Sequence, residues 1–290
     1  MKRYQERVCS TYFYAGVDAT FYDETVRMTD RAYDLVHDVL TRVLGFWLTQ
    51  RRRHEAPNAP VWILDIGCGT GAEAMRILCR VPCSRLLCVD HSPLMLSRFR
   101  EKVVRAYGNE TADGRLALAD VDFRETAWLD RARAKCALDG LSTQFDAAVS
   151  VYALHHLAAE AKLDVYRSIG AHLQADSIFV NADLYAFGTP WLDRLAQEEE
   201  EDWVLRQFDL QFTNADHLHA LLGPSRTRLK EAWVAHIRNE NSPLPIVPLY
   251  GVPEHLRGTT SEECLLREAG FAGVEVPARH FQSAVLVASK

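Results

Sequence analysis

Apolar residues along the chain fall into two patterns, short continuous runs and longer stripes at helical spacing. The runs are Val61 to Ile66, Ser84 to Asp90, Arg115 to Val121, Phe145 to Tyr152 and Asp176 to Asp183. Near-continuous apolar runs of this length suit strands buried on both faces of a parallel sheet. The stripes predict the intervening helices. From Asp30 to Leu48, residues Leu35, Val36, Val39, Leu40, Val43, Leu44, Trp47 and Leu48 form one broad apolar face. Ala72 to Leu78 reads as a second helix, and Pro93, favourable in a first turn, opens a third through Leu94, Leu96, Phe99, Val103 and Val104. Glu125 to Gln144 suggests a partly exposed helix around Leu129 and Ala132, and Ala158 to Leu173 carries Leu163, Tyr166 and Ile169 at helical spacing. Thr260-x-x-Glu263 predicts a capping box on a helix ending at Gly270. Phe271 to Lys290 predicts a closing pair of strands, the last alternating through Ala284, Leu286 and Ala288. Strands alternating with helices predict an α/β domain.

The sharpest local signal lies where the first run meets the second helix. Asp65-Ile-Gly67-Cys68-Gly69-Thr-Gly71 is a strand end, a glycine turn and a helix start. Glycine at alternate positions is the wrong spacing for the dinucleotide fingerprint, which has two residues before its last glycine. The segment resembles motif I, D-x-G-x-G-x-G, of the class I S-adenosylmethionine (SAM) dependent methyltransferases, of the small-molecule type. That resemblance implies a Rossmann-like, seven-stranded, mostly parallel sheet with an antiparallel terminal strand and helices on both faces. It implies SAM as cofactor, lying against Asp65, Gly67, Cys68, Gly69 and Gly71. Asp90 ends the second run, 19 residues after Gly71, about the distance at which such folds offer a carboxylate to a ribose; His91 stands beside it. In the family an acid after the third strand bonds the adenine amine, and either Asp120 or Asp122 fits that place.

The fourth run leads into Tyr152-Ala-Leu-His155-His156, which resembles motif IV, where residues face both sulfonium and acceptor. Methyl transfer from a sulfonium needs alignment and exclusion of water rather than a protein nucleophile. An acceptor hydroxyl or ammonium needs a base, and histidine titrates near neutrality. Tyr152, His155 and His156 are therefore the candidate catalytic residues, with one of the two histidines expected to serve chemistry and the other packing. Candidate acceptor ligands are Tyr14 and Tyr22 in the aromatic N-terminal segment, and Tyr185, His236 and Arg238 after the fifth run. The expected organisation is a helical cover over 1–58, a SAM-binding core over 59–183, an acceptor-site insertion over 184–259, and the last helix and strands over 260–290.

Composition narrows the function class. The chain has 290 residues, 48% of them hydrophobic, with a net charge of −6, enough apolar material for a core but no basic excess to neutralise phosphates. The only compact basic cluster, Arg51-Arg-Arg-His54, reads as a solvated linker. Seven cysteines without a Cys-x-x-Cys pair, a secretory signal or an apolar span of membrane length predict a reduced, cytoplasmic protein with no metal site. The expected partner is a small-molecule acceptor for a monomer or homodimer, with no nucleic acid and no membrane. Two other functions share the fold: a carboxy-SAM synthase-like enzyme, which the Leu-Arg-Glu-Ala-Gly-Phe helix end and final Phe-x-x-Ala-Val-Leu-Val strand also resemble, and a non-catalytic SAM-binding protein.

Overall fold

The five apolar runs and the terminal pair all form strands in one sheet. The computed structural model describes residues 22–23, 26–27, 30–51, 59–136, 144–211 and 256–290. Its strands are β1 (Val61–Ile66), β2 (Ser84–Asp90), β3 (Leu116–Asp120), β4 (Phe145–Val151), β5 (Leu173–Leu184), β6 (Gly273–His280) and β7 (Ser283–Ser289). They lie in the order β3-β2-β1-β4-β5-β7-β6. β1 to β5 run parallel, and β7 is antiparallel to both β5 and β6. The order reverses between β1 and β4, the point at which open α/β sheets leave a crevice beyond their carboxyl ends.

The helices are α1 (Tyr33–Arg51), α2 (Ala72–Arg80), α3 (Pro93–Tyr107), α4 (Asn109–Arg115), α5 (Trp128–Lys135), α6 (Ala159–His172), α7 (Pro190–Gln211) and α8 (Thr259–Glu268). Right-handed crossovers put the helices between β1, β2 and β3 on one face and those between β3, β4 and β5 on the other. On the second face Leu64, Ile66, Leu87 and Val89 cluster with Trp128 and Leu129 of α5, Tyr166 and Ile169 of α6 and Leu266 of α8. Alternate strand residues Ile63, Leu86 and Cys88 are equally buried, as are Leu40 and Leu44 of α1, Ile77 of α2 and Phe99 of α3.

The chain divides into two compact units. One comprises Met1–Asp34 with Phe187–Pro253, and the other Leu35–Ala186 with Glu254–Lys290. Nearly all of α1 thus belongs to the unit that holds the sheet. In the first unit Arg31 pairs with Glu199 at 3.1 Å and lies over the Trp203 ring. There the Glu200 carboxyl is pushed up to about 8, by burial and by the neighbouring Asp30.

Two local expectations fail for identifiable reasons. The capping box at Thr260 and Glu263 does not form: Gly258 caps α8 without a side-chain bond, and Glu263 pairs instead with Arg267 one turn on. Arg51 is not a solvated linker residue. Its guanidinium donates to Ser177 Oγ at 3.0 Å, Gln174 Oε1 at 2.9 Å and the Ala175 carbonyl at 3.2 Å. Those bonds hold a bulge in which β5 slips against β4 between Phe145 and Ala147, so β5 starts three residues before the predicted Asp176.

Candidate active site

The glycine turn is held by backbone bonds to the neighbouring strand. Gly67 and Cys68 donate to the Val89 carbonyl at 2.8 and 3.1 Å, and Gly71 donates back to Cys68 at 2.8 Å. Gly67 has φ +70°, and a Cβ there would lie 2.3 Å from the Ala153 Cβ. This close approach brings the turn after β1 against the turn after β4. Gly69, at φ +50°, has nothing within 4 Å of a would-be Cβ. That open side leaves room for a ligand to lie directly on the turn.

Asp90 organises the same turn from β2. One carboxylate oxygen accepts the Gly69 amide at 2.9 Å and the other the Ser92 amide at 2.9 Å. Ser92 in turn caps α3, with Pro93 in its first turn. A carboxylate has about four acceptor positions, so capacity remains for a ligand hydroxyl beside these amides and that of His91. Burial pushes the Asp90 pKa above its ordinary value, with His91 and the backbone amides pulling it back. His91 Nδ1 lies 3.7 Å from Asp90 Oδ1.

Asp65, two residues before Gly67, presents the opposite situation. It is only 2% exposed, and its Oδ2 has no hydrogen-bond partner. Burial first, then the charges of Glu73 and Asp90, raise its pKa well above the carboxylate norm. A buried carboxylate oxygen without a donor fits a cationic hydrogen-bonding group such as an ammonium.

Beyond β3 the two candidate acids have different surroundings. Asp120 pairs in register with Asp90 across β2 and β3 and is exposed, while its carbonyl accepts Lys135 Nζ. The Asp122 carboxylate is engaged by Arg124, at 2.8 Å from Nε and 2.6 Å from Nη2. Burial pushes Asp122 up, but the Arg124 side chain and amide outweigh it and the pKa lies below normal.

The turn after β4 is built around Asp183, near the end of β5. Its Oδ2 accepts the amides of Leu154 and His155 at 3.1 and 3.0 Å. Its Oδ1 accepts His155 Nδ1 at 2.5 Å and the Leu184 amide at 3.0 Å. Leu154–His156 form a single 3-10 turn, and His155 is 5% exposed. Burial would raise the Asp183 pKa, yet His155 and then Lys162 hold it below the ordinary carboxylate value. The Asp183 carboxylate can accept the Nδ1–H of His155, which fixes the ring and leaves Nε2 as the nitrogen on its far side. The His156 ring stacks obliquely on His155, with centroids 3.9 Å apart, and His156 is half-buried. Tyr152 adopts φ +50°, a conformation costly for a bulky side chain; its amide donates to Ala182 at 2.9 Å and its hydroxyl to Ser283 Oγ at 3.1 Å.

The structure thus gathers Asp65, Gly67, Cys68, Gly69, Gly71, Asp90 and His91 at one turn, and Tyr152, His155 and His156 at the next. Tyr185 is 1% exposed in the core, its hydroxyl accepting the Asn181 side-chain amide at 2.8 Å. Tyr22 belongs to the other unit; Tyr14, His236 and Arg238 fall outside the described residues. Sequence reasoning missed Asp183, although it carries the signal that revealed Asp90, an acid at the end of an apolar run.

Residues 64–179 match the family model of a methyltransferase domain. No curated protein matches the sequence. Among solved structures, the DszA carbon methyltransferase aligns with a TM-score of 0.52 at 15% identity, covering 89% of this chain and 54% of its own. The CurJ carbon methyltransferase aligns with a TM-score of 0.51 at 15% identity, covering 88% of this chain and 55% of its own. The chain spans little more than half the length of either, and at such identity the likeness is one of fold. Residues 64–179 therefore match a methyltransferase domain, and the chain shares the fold of the two carbon methyltransferases.

Proposed function

We propose that the chain is an enzyme that uses SAM to methylate oxygen, nitrogen or carbon of a small-molecule acceptor. The observation that carries this reading is the pairing of His155 with Asp183 on the turn that Gly67 touches through Ala153. A general base thereby stands next to a turn fit for the cofactor. SAM fits the residues present: the orphaned Asp65 oxygen suits its ammonium, the unused capacity of Asp90 a ribose hydroxyl, and the open side of Gly69 its body. Asp120 is preferred for the adenine amine because Asp122 is committed to Arg124. When bound, SAM supplies a methyl group on a positively charged sulfur.

The chain's own residues supply alignment and proton handling. His155 Nε2 accepts the acceptor's proton, and Asp183 fixes the ring and stabilises the imidazolium that forms. His156, packed on that ring, and Tyr152, turned by its positive φ, shape the acceptor's approach. Residues 184–259, with His236 and Arg238, and the N-terminal Tyr14 and Tyr22 are proposed for acceptor recognition, as is cytoplasmic small-molecule metabolism for the setting. Tyr185, with its ring buried in the core, would serve the acceptor site from beneath.

Calorimetric titration with SAM and S-adenosylhomocysteine tests the cofactor, and acceptor screening with labelled methyl groups tests the reaction. Micromolar binding of both ligands, weakened in Asp90→Ala, is expected. Failure of either ligand to bind the folded protein would overturn the reading.

A further inference from the structure

The glycine turn has an open part and a part held by α3. Gly69 has nothing within 4 Å of a would-be Cβ, whereas a Cβ on Gly71 would lie 2.1 Å from the Phe99 ring. Gly71 has φ +78°, so glycine both takes that conformation and admits the ring. Between the two glycines, Thr70 is 1% exposed, and its Oγ1 accepts Lys102 Nζ at 3.3 Å. Phe99 and Lys102 are three positions apart on α3, which places them on one face of that helix. The start of the same helix is fixed by Asp90, whose carboxylate takes the Ser92 amide as well as that of Gly69. Its last residue, Tyr107, donates to the Met75 carbonyl of α2 at 3.4 Å. Along its length α3 therefore grips the turn and the helix that follows it, and Gly69 is left open between these contacts.

We infer that Lys102 is a positioning residue for the cofactor, holding Gly69 and Gly71 through Thr70 in the conformation that a ligand meets. The inference rests on the SAM reading above and extends it to a side chain 32 positions from Thr70 in sequence. Glycines have more backbone freedom to lose than other residues when a ligand fixes them. A bond to the side chain between Gly69 and Gly71 removes part of that freedom before the ligand arrives. Ordering already done in the free protein appears as affinity. Lys102 needs no contact with the ligand for this effect. It is half-buried, with its stem along α3 and its ammonium on the turn.

A double-mutant cycle read by calorimetric titration with S-adenosylhomocysteine tests this role. Lys102→Met in the full chain keeps the apolar stem and removes the donor, and the ligand should bind about fivefold more weakly, the scale of one hydrogen bond. Thr70→Val keeps the shape of the side chain without its hydroxyl and should weaken binding to the same degree. The double variant should be no weaker than either single one. Lys102→Arg, which keeps a donor within reach, should restore most of the affinity. Should Thr70→Val not fold, affinity must still fall in Lys102→Met and return in Lys102→Arg. A lowered melting temperature in Lys102→Met with unchanged affinity would make Lys102 a purely structural residue and overturn the inference. Additive losses in the double variant would overturn it too, because Lys102 would then act by a route other than Thr70. Failure of the unaltered protein to bind S-adenosylhomocysteine would instead sink the cofactor reading and this inference with it.

Discussion

Two buried histidine–carboxylate pairs flank the glycine turn, and they are built differently. Asp183 holds His155 and also three backbone amides, those of Leu154, His155 and Leu184. Glu73 holds only side chains, His37 and Thr41, both from α1. The first carboxylate therefore shapes a piece of main chain, whereas the second ties a helix to the turn. Removing the first should release the local path of the backbone; removing a donor from the second should loosen α1 against the start of α2. Similar chemistry thus anchors main chain in one place and a helix in the other.

The sharpest test of that contrast is Asp183→Ala. It leaves the amides of residues 154 and 155 and the His155 ring without their acceptor, and stability should fall by about 3–5 kcal/mol. Methyl transfer should fall by about a thousandfold or more with the loss of the positioned base. Thermal unfolding and labelled-methyl assays read the two effects. Asp183→Asn keeps an acceptor for the amides, so it should recover stability more than turnover. An equal recovery of both would erase the distinction between the two pairs.

Gly67→Ala comes next. Its Cβ would overlap Ala153 at a positive φ, and a loss of about 3 kcal/mol is expected in denaturant unfolding. Asp90→Ala should weaken SAM by about a hundredfold through the lost ribose bond. It will not leave the turn untouched, because Asp90 also holds the Gly69 and Ser92 amides. Protease sensitivity of the turn should rise with the affinity loss.

The smallest effects concern pH and carry opposite signs. Asp183 has a folded pKa below its ordinary value of 3.8, so it adds stability above that value and loses it as pH falls through the lower, folded pKa. Asp65 has a folded pKa above 3.8, so the native state disfavours its charge. Its contribution turns unfavourable as pH rises from the ordinary value through the raised one. Asp65→Asn should accordingly raise the melting temperature at neutral pH, by the equivalent of about 1 kcal/mol, while weakening S-adenosylhomocysteine. A fall in melting temperature would mean that Asp65 is not strained in the free protein.

Much of this was legible in the chain. Continuous apolar runs specify strands buried on both faces, and helical stripes specify the layers that cover them, because local spacing decides which side chains can face one core. The Asp65 to Gly71 turn and Asp90 were legible too, since a tight turn demands glycine and a strand end carries its acid to the sheet's edge. The capping box at Thr260 misled because a buried neighbour decided otherwise: Glu262 turns inward to Lys162 and to the Tyr166 hydroxyl, and helix α8 starts on Gly258. Arg51 likewise joins β5 across 126 positions of sequence. Neither neighbour is visible from local pattern.

The sequence by itself determined the layered α/β architecture, the order of strands and helices, and the turn against which a cofactor can lie. Only the tertiary structure decided that His155 faces the Asp183 carboxylate, that the Tyr185 ring is buried, and that α1 reaches Glu73. The physical reason is range. Secondary structure and tight turns follow from interactions over a few residues, while the burial and charge of an ionisable group depend on partners 28 or 36 positions away, which only folding brings within 3 Å.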